Sequence, residues 1–158
     1  DKLERLVMSQ FSLRRATMLD AHSLQENCLS DQSLAQVKDR LRWCLSEREK
    51  GRLLCLVAEV DGQTVAIGQL AIHQDEGEIG SLIVAPAYRR QGIGTALVQA
   101  LIERAQQQRL HSLEITASVT RPWIRAWYER LGFTYLCEHD FRDERVALLT
   151  MDLQEDPR

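Results

Sequence analysis

With 158 residues, the chain has the length of one domain and enough material to bury a core without metal or disulfide support. Hydrophobic residues at 44% and charged residues at 27% give an ordinary globular balance, and no apolar run reaches the length of a membrane span. A formal charge of −3 excludes a general binder of nucleic-acid backbones, which needs a basic surface, but leaves room for one small anion held locally.

The four cysteines, Cys28, Cys44, Cys55 and Cys137, form no C-x-x-C and no Cys/His pairing at zinc spacing. They are expected as reduced, mostly buried thiols with no metal. The opening Asp1-Lys2-Leu3-Glu4-Arg5 is polar, has no apolar stretch behind it and lacks an initiator Met, so it reads as a trimmed start without a leader. Together these features predict a cytoplasmic protein of one domain over 1–158, with its core at about 11–153 and with neither membrane nor nucleic acid as a partner.

The elements follow from periodicity. Phe11 to Arg15 alternates apolar and polar residues and predicts a first strand. Met18 to Leu29 and Asp31 to Arg48 carry apolar residues at helical spacing and predict two helices. Leu53 to Val60 is a near-continuous apolar run, hence a strand buried on both faces. Asp61-Gly62 turns the chain into a partner strand, Thr64 to His73, in which Gly68 marks a bulge. Glu76 to Val84 is the next strand and Pro86 stops it. Gly92 to Gln108 has the strongest helical pattern, with Ile93, Leu97, Ala100, Leu101 and Ala105 on one stripe. A strand from Leu110 to Ala117 follows. Pro122 opens a helix that Gly132 closes. Phe133 to Cys137 and Val146 to Leu153 predict the last two strands, joined by a charged loop, Glu138 to Glu144, with a frayed tail from Gln154 onward. The hairpins imply antiparallel pairing and the helix at Gly92 implies one parallel crossover. The fold class is therefore α+β, a mixed sheet flanked by helices.

The chemistry concentrates where the strand ending at Val84 runs through Arg89-Arg90-Gln91-Gly92-Ile93-Gly94-Thr95 into a helix. The first amides of a helix have no partner within it and carry the positive pole of its dipole. Gly92 and Gly94 have no Cβ, so a phosphate can approach the main chain, and Arg89 and Arg90 add charge beside the opening. A P-loop would need Lys-Ser/Thr after the glycines, and none follows. A dinucleotide fingerprint would need a third glycine where Leu97 stands, and seven residues already separate Val84 from Gly92.

The pattern [QR]-x-x-G-x-[GA], several residues after a strand with a β-branched end, resembles the GNAT superfamily of acyl-CoA-dependent N-acetyltransferases. Trp127-Tyr128-Glu129-Arg130-Leu131-Gly132-Phe133 resembles the family's Y-x-x-x-G-F segment. One departure is Arg121, at a position where family members often carry Asn. The resemblance implies a GNAT-like fold with a mostly antiparallel sheet of six to seven strands and about four helices. It implies acetyl-CoA as co-substrate with no metal, its pyrophosphate on residues 89–95 and its pantetheine beside the main chain of Leu82, Ile83 and Val84. Val84 N–H would hold the developing oxyanion.

An alkyl ammonium must lose a proton before it attacks. Some family members use a Glu at the place of Glu78, which period-two alternation puts on one face with Gly80, Leu82 and Val84. His73 and Glu76 are secondary candidates. Tyr128 would protonate the leaving thiolate, as the matching Tyr does in the family; a core Tyr on its apolar helix face with Trp123, Ile124, Trp127 and Leu131 would look the same, and the Gly132-Phe133 match favours the catalytic role. The acceptor would be a small-molecule or peptide amine, and the four carboxylates of residues 138–144 lean toward a cationic one. A homodimer is compatible with the sequence. The competing function is a non-catalytic acyl-CoA-binding sensor, toward which the missing Asn leans.

Overall fold

A computed structural model describes residues 10–154; the polar start and positions 155–158 of the tail lie outside the described residues. Seven strands form one sheet in the order β1-β2-β3-β4-β5-β7-β6: β1 (Ser12–Arg15), β2 (Leu53–Val60), β3 (Gln63–His73), β4 (Glu76–Val84), β5 (Ser112–Ser118), β6 (Thr134–Phe141) and β7 (Glu144–Asp152). Every neighbouring pair is antiparallel except β4 with β5. Four α-helices flank it: α1 (Ala21–Asn27), α2 (Leu34–Glu49), α3 (Ile93–Gln107) and α4 (Pro122–Arg130).

Local chemistry moves two helix starts inward from the sequence-based bounds. Thr17 and Asp20 cap each other reciprocally and wind Met18–Asp20 as a 3-10 turn before α1 begins. Ser33 and Gln36 do the same for α2, so Asp31 and Gln32 stay outside it.

The larger correction concerns residues 138–144. They are not a loop: β6 continues to Phe141, β7 restarts at Glu144, and only Arg142 and Asp143 make the turn. β6 is an edge strand exposed at most positions, so it carries no apolar alternation to betray it. Arg145 donates across this hairpin to Glu138 at 3.1 Å and to Asp140 at 3.2 Å, which occupies two of the four carboxylates.

Two cores lie on opposite faces of the sheet. One packs α3 and α4 on Leu54, Leu56, Leu70, Ile79, Leu113 and Ile115. The other packs α1 and α2 on Leu53, Cys55, Val57 and Ile67. β2 lies between both, which is why it reads as an unbroken apolar run. β5 alternates buried with half-buried or exposed positions instead, because helices cover only one of its faces there. Each fully buried side chain such as Leu97 or Leu24 contributes about 1.5–3 kcal/mol of transfer free energy.

β3 and β4 change register between Ile67↔Ile83 and Gln69↔Gly80, so β4 carries one extra residue, and Ser81 takes up the bulge at φ 51°. Gly68 does stand opposite this bulge. A Cβ there would lie 3.1 Å from Leu82 Cδ1 and 3.3 Å from Leu101 Cδ1, so its bareness makes room for both. The bulge reverses the side-chain parity of β4. Ile79 faces the α3 core before it, and Leu82 and Val84 face that same core after it, while Ile83 joins the α1–α2 side. Glu78 therefore does not share a face with Leu82 and Val84; it lies on the opposite one. The parallel pairing of β4 with β5 ends at Ile79↔Ile115, just before the bulge.

Asp20 fastens β1 to the helical layer. Its buried carboxylate accepts from both Arg14 amino groups at 2.9 and 2.7 Å, from Thr64 Oγ1 at 2.6 Å and from the Thr17 amide at 2.7 Å. Burial pushes its pKa up, but these donors and the Arg14 charge outweigh it and hold the carboxyl below the usual aspartate range. A lowered carboxylate pKa gives stability that is present above about pH 4 and is lost as pH falls through the folded-state value. Asp20→Asn is expected to cost about 2–4 kcal/mol in urea unfolding at pH 7, because it leaves Arg14 and Thr64 short of their partner. The deficit against wild type should shrink in acid, and a deficit that stays constant down to pH 2 would refute the assignment.

Candidate cofactor cleft and acceptor side

A cavity of about 700 Å³ opens where β4 and β5 part. Leu82, Ile83 and Val84 form its strand wall, and Tyr88, Arg89, Arg90 and Gly92 form the loop. Gly94 and Thr95 bring in the start of α3, while Arg121, Trp123, Ile124 and Trp127 form the α4 wall. Thus eight of the ten binding residues expected from sequence line one cavity: Leu82, Ile83, Val84, Arg89, Arg90, Gly92, Gly94 and Thr95. Gln91 is half-buried outside the lining, and Ile93 turns its side chain into the α3 core.

Gly92 is the cap residue of α3, with φ 84°, and no side chain caps the helix start. The left-handed conformation favours glycine, and a Cβ there would meet nothing within 4 Å, so the approach to the amides is open. Such a helix start stabilises an anion by about 0.3–1 kcal/mol at an exposed site, and more in a shielded one. Arg89 Nε donates to the carbonyl of Val84 at 3.1 Å, which ties the loop back to the end of β4. The side chains lining this cavity include Arg89, Arg90 and Arg121 and no carboxylate, a balance that suits an anion.

Gly94 has a second reason to lack a side chain. A Cβ there would lie 3.3 Å from Trp127 Cη2, so the indole rests on the bare first turn of α3. Trp127 Nε1 also donates to Thr95 Oγ1 at 3.0 Å. The apolar spacing of α4 puts Trp127 on a face that reads as core. In the structure it joins α4 to α3 and also lines the cavity.

Tyr128 is buried in the α3 core, 5.0 Å from the Trp127 ring and 6.1 Å from the Phe133 ring, and is not among the cavity-lining residues. Burial pushes its phenol up to about 12, so it stays protonated through the neutral range.

Glu78 faces a second, smaller cavity of about 240 Å³, shared with Glu114, Thr116, His139, Phe141 and Leu148. Glu78 and Glu114 are register partners in the parallel pair. The sequence did not single out Glu114 or His139. Alternation along β5 does put Glu114 with Thr116, but whether that face was covered depended on where α1 and α2 pack, and His139 was hidden in the supposed loop. His73 and Glu76 pair at the far end of the β3–β4 hairpin and line neither cavity. Among the described residues no helix is long and apolar enough to cross a membrane, and no three metal-binding side chains cluster.

The chain is similar to known N-acetyltransferases in sequence and in fold. The family model described as Acetyltransferase (GNAT) family matches residues 18–133. An uncharacterized N-acetyltransferase of Methanocaldococcus jannaschii is 29% identical over 99 residues, which cover 58% of this chain and 42% of that protein. The [ribosomal protein bS18]-alanine N-acetyltransferase of Escherichia coli strain K12 is 30% identical over 73 residues, covering 46% of this chain and 49% of that protein. The chain thus spans about half or less of the length of these two relatives. In fold, it resembles the crystal structure of PaiA N-acetyltransferase from Thermoplasma acidophilum in complex with coenzyme A, with a TM-score of 0.74 at 15% identity over 90% of this chain and 99% of that one. The family match runs from the first helical turn through the uncapped helix start to the Gly132-Phe133 turn, and on that ground the chain belongs to the acetyltransferase (GNAT) family.

Proposed function

We propose that this chain transfers an acetyl group from acetyl-CoA to a primary amine of a small molecule or peptide, by direct attack while both substrates are bound. The observation that carries the reading is the uncapped start of α3 at Gly92, open to a positive cavity of about 700 Å³. These residues fit the group: free amides and arginines suit a diphosphate, and the unpaired edge of β4 suits a chain of amides. The bound thioester would supply an activated acyl carbon.

The remaining chemistry falls to the protein. The main chain of Leu82, Ile83 and Val84 orients the pantetheine arm, and the amide of Val84 stabilises charge on the carbonyl oxygen. Glu78 takes the proton from the incoming ammonium, directly or through water, from the opposite face of the sheet. Glu114 beside it makes that face doubly acidic, which draws a cation to the gap. Tyr128 does not line the cavity; the family resemblance alone assigns it to donate a hydrogen bond, and then its proton, to the departing sulfur. Its elevated pKa keeps that proton in place at neutral pH.

Gly92→Ala should weaken acetyl-CoA binding about ten-fold by calorimetry, since the left-handed cap costs about 1 kcal/mol with a Cβ and the added methyl crowds the amides. Unchanged affinity would remove the helix start from the site. Tyr128→Phe should lower thiol release about ten-fold or more with little change in cofactor affinity. The same substitution should flatten the alkaline stability curve. A folded-state pKa raised above the unfolded value near 10 gives stability that is present below about pH 10 and is lost toward pH 12, and Phe has no such proton. Unchanged turnover would exclude Tyr128 from the reaction. Glu78→Gln should lower kcat about ten-fold or more across an amine panel, and Glu114→Gln less; the reverse ranking would move the base to β5. Tight cofactor binding with no thiol release on any amine would favour the sensor.

A further inference from the structure

We propose that Arg121 and Trp123 form a subsite for the 3′-phosphoadenosine end of the acyl donor, so that the chain selects complete coenzyme A thioesters over shorter or dephosphorylated ones. This rests on the cofactor reading of the larger cavity.

The walls of that cavity sort by chemistry. The end of β4 offers main chain and apolar side chains, which match the pantetheine arm. The loop and the start of α3 offer free amides, which match the diphosphate. Two groups on α4 remain without a task. Arg121 is the cap residue of α4, lines the cavity and has no carboxylate partner among the described residues. Arg125 on the same helix is differently placed, 3.4 Å from Glu129 and over the ring of Tyr135. Trp123 is 65% exposed, an unusual setting for an indole.

Trp123 and Trp127 stand one helical turn apart and therefore share a face of α4. Trp127 is held by Gly94 and Thr95. Trp123 lines the same cavity and makes neither of these contacts. The part of coenzyme A not yet accounted for is a purine ring and a monoester phosphate. An exposed indole is a stacking platform for a purine, and a guanidinium is a fork for a phosphate. Arg121 stands where the family resemblance led to Asn, so the cation is a property of this chain.

Calorimetry on the whole chain tests the subsite, with coenzyme A, 3′-dephospho-coenzyme A and pantetheine as probes. Wild type should bind coenzyme A about ten-fold more tightly than the dephospho form. Arg121→Gln should abolish that preference, losing about ten-fold on coenzyme A and nothing on the dephospho form. Trp123→Ala should weaken both nucleotide forms about ten-fold and leave pantetheine unchanged, while Trp123→Phe retains most of the affinity. Equal losses of Arg121→Gln on both nucleotide forms would put Arg121 on the diphosphate and overturn the proposal, as would no loss on either. Absence of coenzyme A binding to wild type would instead overturn the cofactor reading itself, and the subsite with it. Both positions are surface sites, and matched thermal unfolding of the variants establishes that any loss arises at the cavity.

Discussion

The pairing of β4 with β5 stops at Ile79↔Ile115, and the extra residue at Ser81 follows immediately. Parallel strands that stay paired leave no main chain free. These two part, and the unpaired edge of β4 becomes one wall of the cavity. The bulge also turns Leu82 and Val84 toward the α3 core while Glu78 remains on the other side of the sheet. The inserted residue therefore sets Leu82 and Val84 on one face of the sheet and Glu78 on the other, beside the point where β4 and β5 part. Gly68 is the local support for this, since a side chain there would crowd Leu82 and Leu101.

That division suits a transfer between two substrates. On one face the groups are positive or neutral, with arginines, free helix amides and indoles. On the other they are acidic, with Glu78 and Glu114 side by side. An anionic donor and a cationic acceptor would each meet a complementary field and approach through opposite sides of one gap. Trp127 keeps the positive face in shape. Its hydrogen bond to Thr95 and its packing on Gly94 fix the distance between α3 and α4, so neither helix closes the cavity. At the β1 edge of the sheet the buried Asp20 carboxylate, paired with the half-buried Arg14 and bonded to Thr64, holds the first strand and helix in place.

The sequence by itself determined the order of elements, because period-two and period-3.6 patterns, Pro86, Pro122, Asp61-Gly62 and Gly132 are local signals that need no partner. It also singled out residues 89–95 as the candidate anion site, since glycines at a helix start between a strand and an amphipathic helix have few other uses. What the tertiary structure decided were matters of pairing and parity. Alternation along Glu76 to Val84 put Glu78 with Leu82, and only the register against β3 exposes the extra residue that separates them. The edge strand through Glu138 to Phe141 gave no apolar signal because neither of its faces is deeply covered, so its charges looked like a loop. Glu114, Arg121 and Trp127 had assignable periodicity but no assignable neighbour, for a side chain's task depends on what packs across from it, and that contact comes from residues far away in the chain.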